Sequence, residues 1–125
     1  MPLDPNDLRA CLQPTWFLDS DSPEVRAYAE RACAGAIDPR ERAVRLFYAV
    51  RDGLRYNPYS ISGEREAYRA SHVAQQREGF CVPKAILLAA AARAAGIPAR
   101  LRFADVRNHL ASPQLLETMG TNVFV

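Results

Sequence analysis

The run from Gly79 to Pro98, GFCVPKAILLAAAARAAGIP, constrains the chain more than any other segment. Between Val82 and Ala95 only Lys84 and Arg93 carry charge, and most other positions are alanine or leucine. That composition favours a helix, so Val82 to Ala95 is expected to be the fourth and longest helix, alanine-rich and buried. Pro83 is tolerated only in the first turn, where its missing N–H is not needed. Gly96 closes the helix, and Pro98 forbids its continuation. Cys81 then falls just before this helix or in its first turn. Free amide hydrogens and the helix dipole point at that position and favour a thiolate. Lys84, three residues on, is expected to add positive field. Gly79 allows a tight approach, and Phe80 anchors the turn. The competing reading is a small structural cysteine, which is the common fate of the residue type.

Helix signals dominate the upstream half. Ser22 caps a helix with Pro23 in its first turn and Glu24 at its positive end. Val25, Tyr28, Ala29 and Ala32 form its apolar face, and Gly35 ends it. Asp38 caps the next helix, with Pro39 first and Glu41 three residues after the cap. Its predicted buried stripe is Ala43, Leu46, Phe47 and Val50. It stops near Leu54 or Arg55, ahead of the Asn57-Pro58 breaker. The irregular stretch from Tyr56 to Ala67 borders a cleft or packs its aromatics as a loop. A third, short helix is predicted over Ser71 to Arg77.

Residues 1–21 read as an irregular N-terminal segment, with room for a short helix between Leu3 and Leu12 and an extended piece at Thr15–Leu18. Downstream, Ala99 to Val106 alternates as a strand, with Leu101, Phe103 and Asp105 on one side. Ala111 to Met119 is a weak helix candidate, and Thr121 to Val125 a final strand. Two strands rarely suffice as a sheet. The expected fold class is therefore α+β: about four helices preceding a small antiparallel sheet that is truncated at the end of the chain. Residues 1–125 are read as a single domain, or as the helical fragment of a larger one. An open last strand invites pairing with a second copy as a homodimer.

The 125 residues are 49% apolar, which suits one domain with a real core. The net charge of +2 compels no nucleic-acid partner. Of the 16 basic residues only Lys84 is lysine, and the arginines are scattered rather than clustered. No apolar run is long enough to span a bilayer. The acidic, proline-containing start is unlike a secretory signal, so a cytoplasmic location without membrane attachment is expected. Three cysteines and two histidines, widely spaced, suggest neither a disulfide framework nor a zinc cluster. No cofactor is expected.

Gly79-Phe80-Cys81, the alanine-rich helix and Gly96-Ile97-Pro98-Ala99-Arg100 together resemble the core of the transglutaminase-like superfamily, including its bacterial and cysteine-protease-like members. Ala85, Leu88 and Arg93 also fit the pattern, and Asp38 to Tyr56 is similar to the helix that precedes that core. The resemblance covers roughly residues 22–106 and is strongest over 79–103. It implies a papain-like thiol fold with Cys81 as nucleophile and a histidine and an aspartate on neighbouring strands. Cys81 would attack a carboxamide or peptide carbonyl of a protein or peptide substrate and form a thioester. Water as acceptor would make the protein a hydrolase, and an amine would make it an acyltransferase. The implied histidine falls at or just after Val125, so these residues taken alone are expected to be inactive.

Thiol attack needs a base and a group that orients it. Within the chain the candidate base is His109, in the loop after the Ala99–Val106 strand. His72 is a weaker candidate, and Asp105 is the candidate orienting group or a partner for Arg100, Arg102 or Arg107. Cys11 and Cys33 read as structural, and Cys33 falls at a helix end whose dipole opposes a thiolate. Two other readings stay open: a non-catalytic binding module on the same fold, and a thiol–disulfide or peroxide-reducing enzyme. The latter lacks a Cys-x-x-Cys pair and ranks last.

Overall fold

A computed structural model describes residues 5–59, 61–102, 106–107 and 123–124. Among them are five α-helices: α1 (Pro5–Ala10), α2 (Pro23–Ala32), α3 (Pro39–Gly53), α4 (Ala70–Val73) and α5 (Cys81–Ala94). A 3-10 turn, Arg65–Tyr68, precedes α4. Four two-residue strands complete the order: β1 (Arg55–Tyr56), β2 (Glu78–Gly79), β3 (Val106–Arg107) and β4 (Val123–Phe124).

The expected fold class needs correction. In place of about four helices followed by one antiparallel sheet, five helices form, and a parallel pair, β1 with β2, sits inside the helical part. The reason is local. The chain leaving α3 and the chain entering α5 run side by side in the same direction, so they bond as parallel strands. β3 and β4 form a separate antiparallel pair within the chain, Val106 opposite Phe124. Ala99 to Arg102, expected as the start of a strand, carries no strand structure. Phe103, Asp105, His109 and the helix candidate Ala111–Met119 lie outside the described residues.

The helix starts follow the caps. The Val25 N–H donates to Ser22 Oγ at 3.3 Å, and the Glu41 N–H donates to Asp38 Oδ1 at 2.7 Å. Glu41 reaches back to the Ile37 N–H, one residue beyond the usual box partner. Gly96, at φ 83°, closes α5 in a Schellman arrangement: the Ile97 N–H reaches Ala92 O and the Gly96 N–H reaches Arg93 O. At 14 residues α5 is one shorter than α3, so it is not the longest helix. The helix expected over Ser71–Arg77 is a single turn, α4, which starts one residue earlier and is already over by Ala74. Thr15–Leu18 is a tight loop rather than an extended piece, because the Thr15 N–H bonds Leu18 O and the Leu18 N–H bonds Thr15 Oγ1.

The core forms around α5, which packs on α2, α3 and α4. Ile86, Leu87 and Ala89–Ala92 are buried, on every side of the helix. A helix apolar all round must be enclosed, and its alanines let neighbouring helices come close. Leu46, Val50 and Leu54 of the α3 side are buried with it, but Phe47 is 50% exposed and Ala43 is exposed, against the expected stripe. The inward row is Leu46–Val50–Leu54, at i, i+4, i+8. Phe47 lies about 100° away from Leu46 around the helix, on a face where the Arg51 guanidinium lies over Phe47 and Tyr48.

Candidate active site around Cys81

Three ties bring the C-terminus of α3 to the N-terminus of α5. In the parallel pair, Arg55 stands opposite Glu78 and Tyr56 opposite Gly79. The Arg55 N–H donates to Arg77 O at 2.9 Å and the Asn57 N–H to Gly79 O at 3.0 Å. Around this pair, Arg55 Nη2 and Asn57 Nδ2 both donate to the Glu78 carboxylate, at 2.9 and 3.3 Å. Arg55 first, then Asn57, hold that carboxyl below its ordinary range, so the negative charge nearest Cys81 in sequence is engaged elsewhere. The third tie is Lys84, whose Nζ donates to Leu54 O at 2.8 Å and Arg51 O at 3.0 Å. Those carbonyls belong to the negative end of α3. Lys84 therefore serves as a cap between helices instead of directing its ammonium at Cys81.

Cys81 is the first residue of α5, and its thiol is exposed. Phe80, the cap residue, is extended (φ −96°, ψ −170°) and makes no side-chain cap bond. Pro83 brings no N–H to this turn, so the donors at the helix start are the amides around Cys81 itself. The expected placement at a helix N-terminus is thus what the structure has. Leu101 packs on the core cluster that contains Ile86 and Ala89–Ala92, and Phe103 is outside the described residues.

Tyr56 is the neighbour that sequence reasoning did not single out. Its phenol is pushed above the ordinary tyrosine value, first by burial and then by the negative charge Cys81 carries when ionised. Tyr56 is the register partner of Gly79, two residues before Cys81. The sequence leaves the Tyr56–Ala67 stretch open between a cleft border and a loop that packs its aromatics, and nothing in it shows which residue pairs with the chain before Cys81.

The Gly79–Phe80 turn also borders a pocket of about 320 Å³ with Phe80, Pro83, Tyr68 and His72 among its walls. Tyr68 and Phe80 meet edge to face at 6.1 Å, and the Tyr68 hydroxyl donates to Ser62 O at 2.6 Å. His72 is exposed on α4, and Cys81 is not part of the pocket wall. His109 and Asp105 lie outside the described residues. Among the described residues no three His, Cys, Asp or Glu side chains group as a metal site. No helix among them is long and apolar enough to cross a membrane.

The turn after α5 is held from behind. Arg93 Nε donates to Ala99 O at 2.8 Å and Arg93 Nη1 to Gln13 O at 2.7 Å, while the Ala99 N–H donates to Cys11 O. Arg93 thereby fixes the Gly96–Ala99 turn against the N-terminal segment. Asp19, buried and silent in the sequence, accepts from the Ser71 N–H at 3.0 Å and pairs with Arg69, anchoring α4 from a distance.

A thiol opening a buried alanine-rich helix, followed by a Gly-Ile-Pro-Ala turn locked by an arginine, defines a thiol-bearing helical core. A family profile described as the transglutaminase-like superfamily matches residues 26–122, from within α2 past Cys81. The chain belongs to that superfamily. Comparison with curated proteins and with solved structures gave no significant match.

Proposed function

We propose that this chain carries the nucleophile of a cysteine acyl-transfer site, with Cys81 attacking the carbonyl of a protein or peptide amide. The observation that supports it is the exposed thiol at the first position of α5, in a chain of this superfamily. The Cys81 sulfur forms a bond to the carbonyl carbon, and the carbonyl π pair moves to oxygen. Collapse of that intermediate expels the amine and leaves a thioester. Water or a second amine then releases the acyl group. A histidine holds and returns the proton, and an aspartate behind it sets its orientation. Within this chain the histidine proposed for that role is His109. The amide hydrogens at the start of α5 stabilise the oxyanion.

An activated ester such as p-nitrophenyl acetate tests the nucleophile without needing the base, because its leaving group departs unprotonated. The expected result is a burst of p-nitrophenolate and an intact-mass gain of one acetyl group on Cys81, lost in Cys81→Ala. Amide cleavage or transfer in the full protein is expected to vanish in Cys81→Ala and to fall in His109→Ala. Cys81→Ala with undiminished acylation and amide chemistry would sink the proposal. It would leave the binding-module reading in its place.

A further inference from the structure

We infer that Tyr56 is the second oxyanion donor of this site, its phenolic O–H bonding the substrate carbonyl oxygen as Cys81 attacks. The inference rests on the acyl-transfer reading of Cys81 and adds a residue to it.

The placement follows from register. Tyr56 and Gly79 are partners in the parallel pair, and partners in adjacent strands project to the same face. Extended backbone continues through Phe80, and side chains along an extended chain alternate, so Cys81 returns to the face of Gly79 and Tyr56. That face is turned toward the first turns of α5: a Cβ on Gly79 would lie 3.5 Å from Pro83 Cβ and 4.0 Å from Lys84 Cγ. Gly79 itself contributes no side chain to that face. In keeping with that placement, the charge of an ionised Cys81 adds, after burial, to what raises the Tyr56 phenol. No described hydrogen bond occupies the Tyr56 hydroxyl, in contrast to Tyr68, whose hydroxyl is spent on Ser62 O. A half-exposed ring with its hydroxyl uncommitted, beside a nucleophile at a helix start, suits a group that must meet an incoming carbonyl.

The chemistry asks for such a donor. As the sulfur–carbon bond forms, the carbonyl oxygen gains a full charge. Donors aimed at that charge contribute more than any other single effect in acyl transfer. The Cys81 amide supplies one hydrogen bond and Tyr56 the second. The tyrosine keeps its proton throughout, and no oxidant or further reactant is involved.

Two reactions of the same thiol separate this role from mere packing. Acylation by p-nitrophenyl acetate passes through an oxyanion, whereas alkylation by iodoacetamide displaces iodide at a saturated carbon and does not. In Tyr56→Phe the acylation rate is expected to fall by at least about 10-fold, toward the 10²–10³ typical of a lost oxyanion donor. The iodoacetamide rate is expected to hold within about twofold, which also reports an intact fold and thiol. Equal acylation in the two proteins would overturn the inference, and so would a parallel loss of both reactions, which would mean that Tyr56 acts on the thiol itself. Failure of the underlying reading looks different: Cys81 of the unaltered protein would not acylate at all.

Discussion

The two ends of α5 have opposite surroundings. From Ile86 to Ala92 the helix is enclosed, with Leu87 and Ala90 at 0% exposure. At its start, Cys81 is exposed, and the turn is tied by backbone and side-chain bonds to the end of α3. One helix thus carries the stability of the domain at one end and a candidate nucleophile at the other. The rigid, buried half allows the first turn to hold a reactive group in the open, since its position is set by the helix axis and by the β1–β2 pair.

The sharpest test of that division is Leu87→Ala. Leu87 is fully buried among Val50, Leu54 and Val73, so its truncation is expected to cost about 2–5 kcal/mol, read from the urea midpoint. Cys81→Ser, by contrast, should shift that midpoint by under about 0.5 kcal/mol, as for an exposed site. Comparable losses at both positions would break the comparison.

The thiols give a second, smaller contrast. Cys33 caps the C-terminal end of α2, its Sγ 3.8 Å from Arg42 O, and burial pushes its thiol up despite Arg42 and Arg45 nearby. Cys81 opens a helix and faces solvent. Labelling with iodoacetamide at neutral pH, followed by peptide mapping, should modify Cys81 at least about 10-fold faster than Cys33. Faster labelling of Cys33 would remove the assigned role of helix polarity.

Lys84 tests how the first turn is tied down. Lys84→Met keeps the stem but loses the bonds to Arg51 O and Leu54 O, at an expected cost of about 1 kcal/mol. If Lys84 is a tie between helices, acylation of Cys81 should slow along with the loss of stability.

The smallest effect is in alkali. Burial raises Cys33 from its ordinary value of 9.0, so the folded state holds that proton more tightly than the unfolded chain. The contribution is complete below pH 9.0 and is lost as the pH rises through the higher folded value. Tyr28, raised by burial against the pull of Arg31, acts in the same sense from 10.0 upward. The denaturation midpoint should fall above pH 9, and Cys33→Ala should flatten the first part of that fall.

Much of the helical half was legible because its signals are local. Ser22, Asp38, Gly96 and Pro83 act through bonds within a few residues, and each does what its type dictates. Cys81 at the start of α5 was readable for the same reason, and its family followed from the motif around it. Phe47 was misjudged because a 3.6-residue period allows several neighbouring rows, and only packing against α5 chooses Leu46–Val50–Leu54. The parallel pair was missed because two strands of two residues carry no periodicity.

The sequence by itself determined that a buried alanine helix forms, that it begins beside a thiol, and that it ends at Gly96. Tertiary structure alone decided what stands next to that thiol. Lys84 turned to the carbonyls of α3, Glu78 was taken by Arg55 and Asn57, and Tyr56 was paired with Gly79, two residues before Cys81. Capping and composition act within a turn of helix, whereas those encounters depend on where two separate segments run side by side.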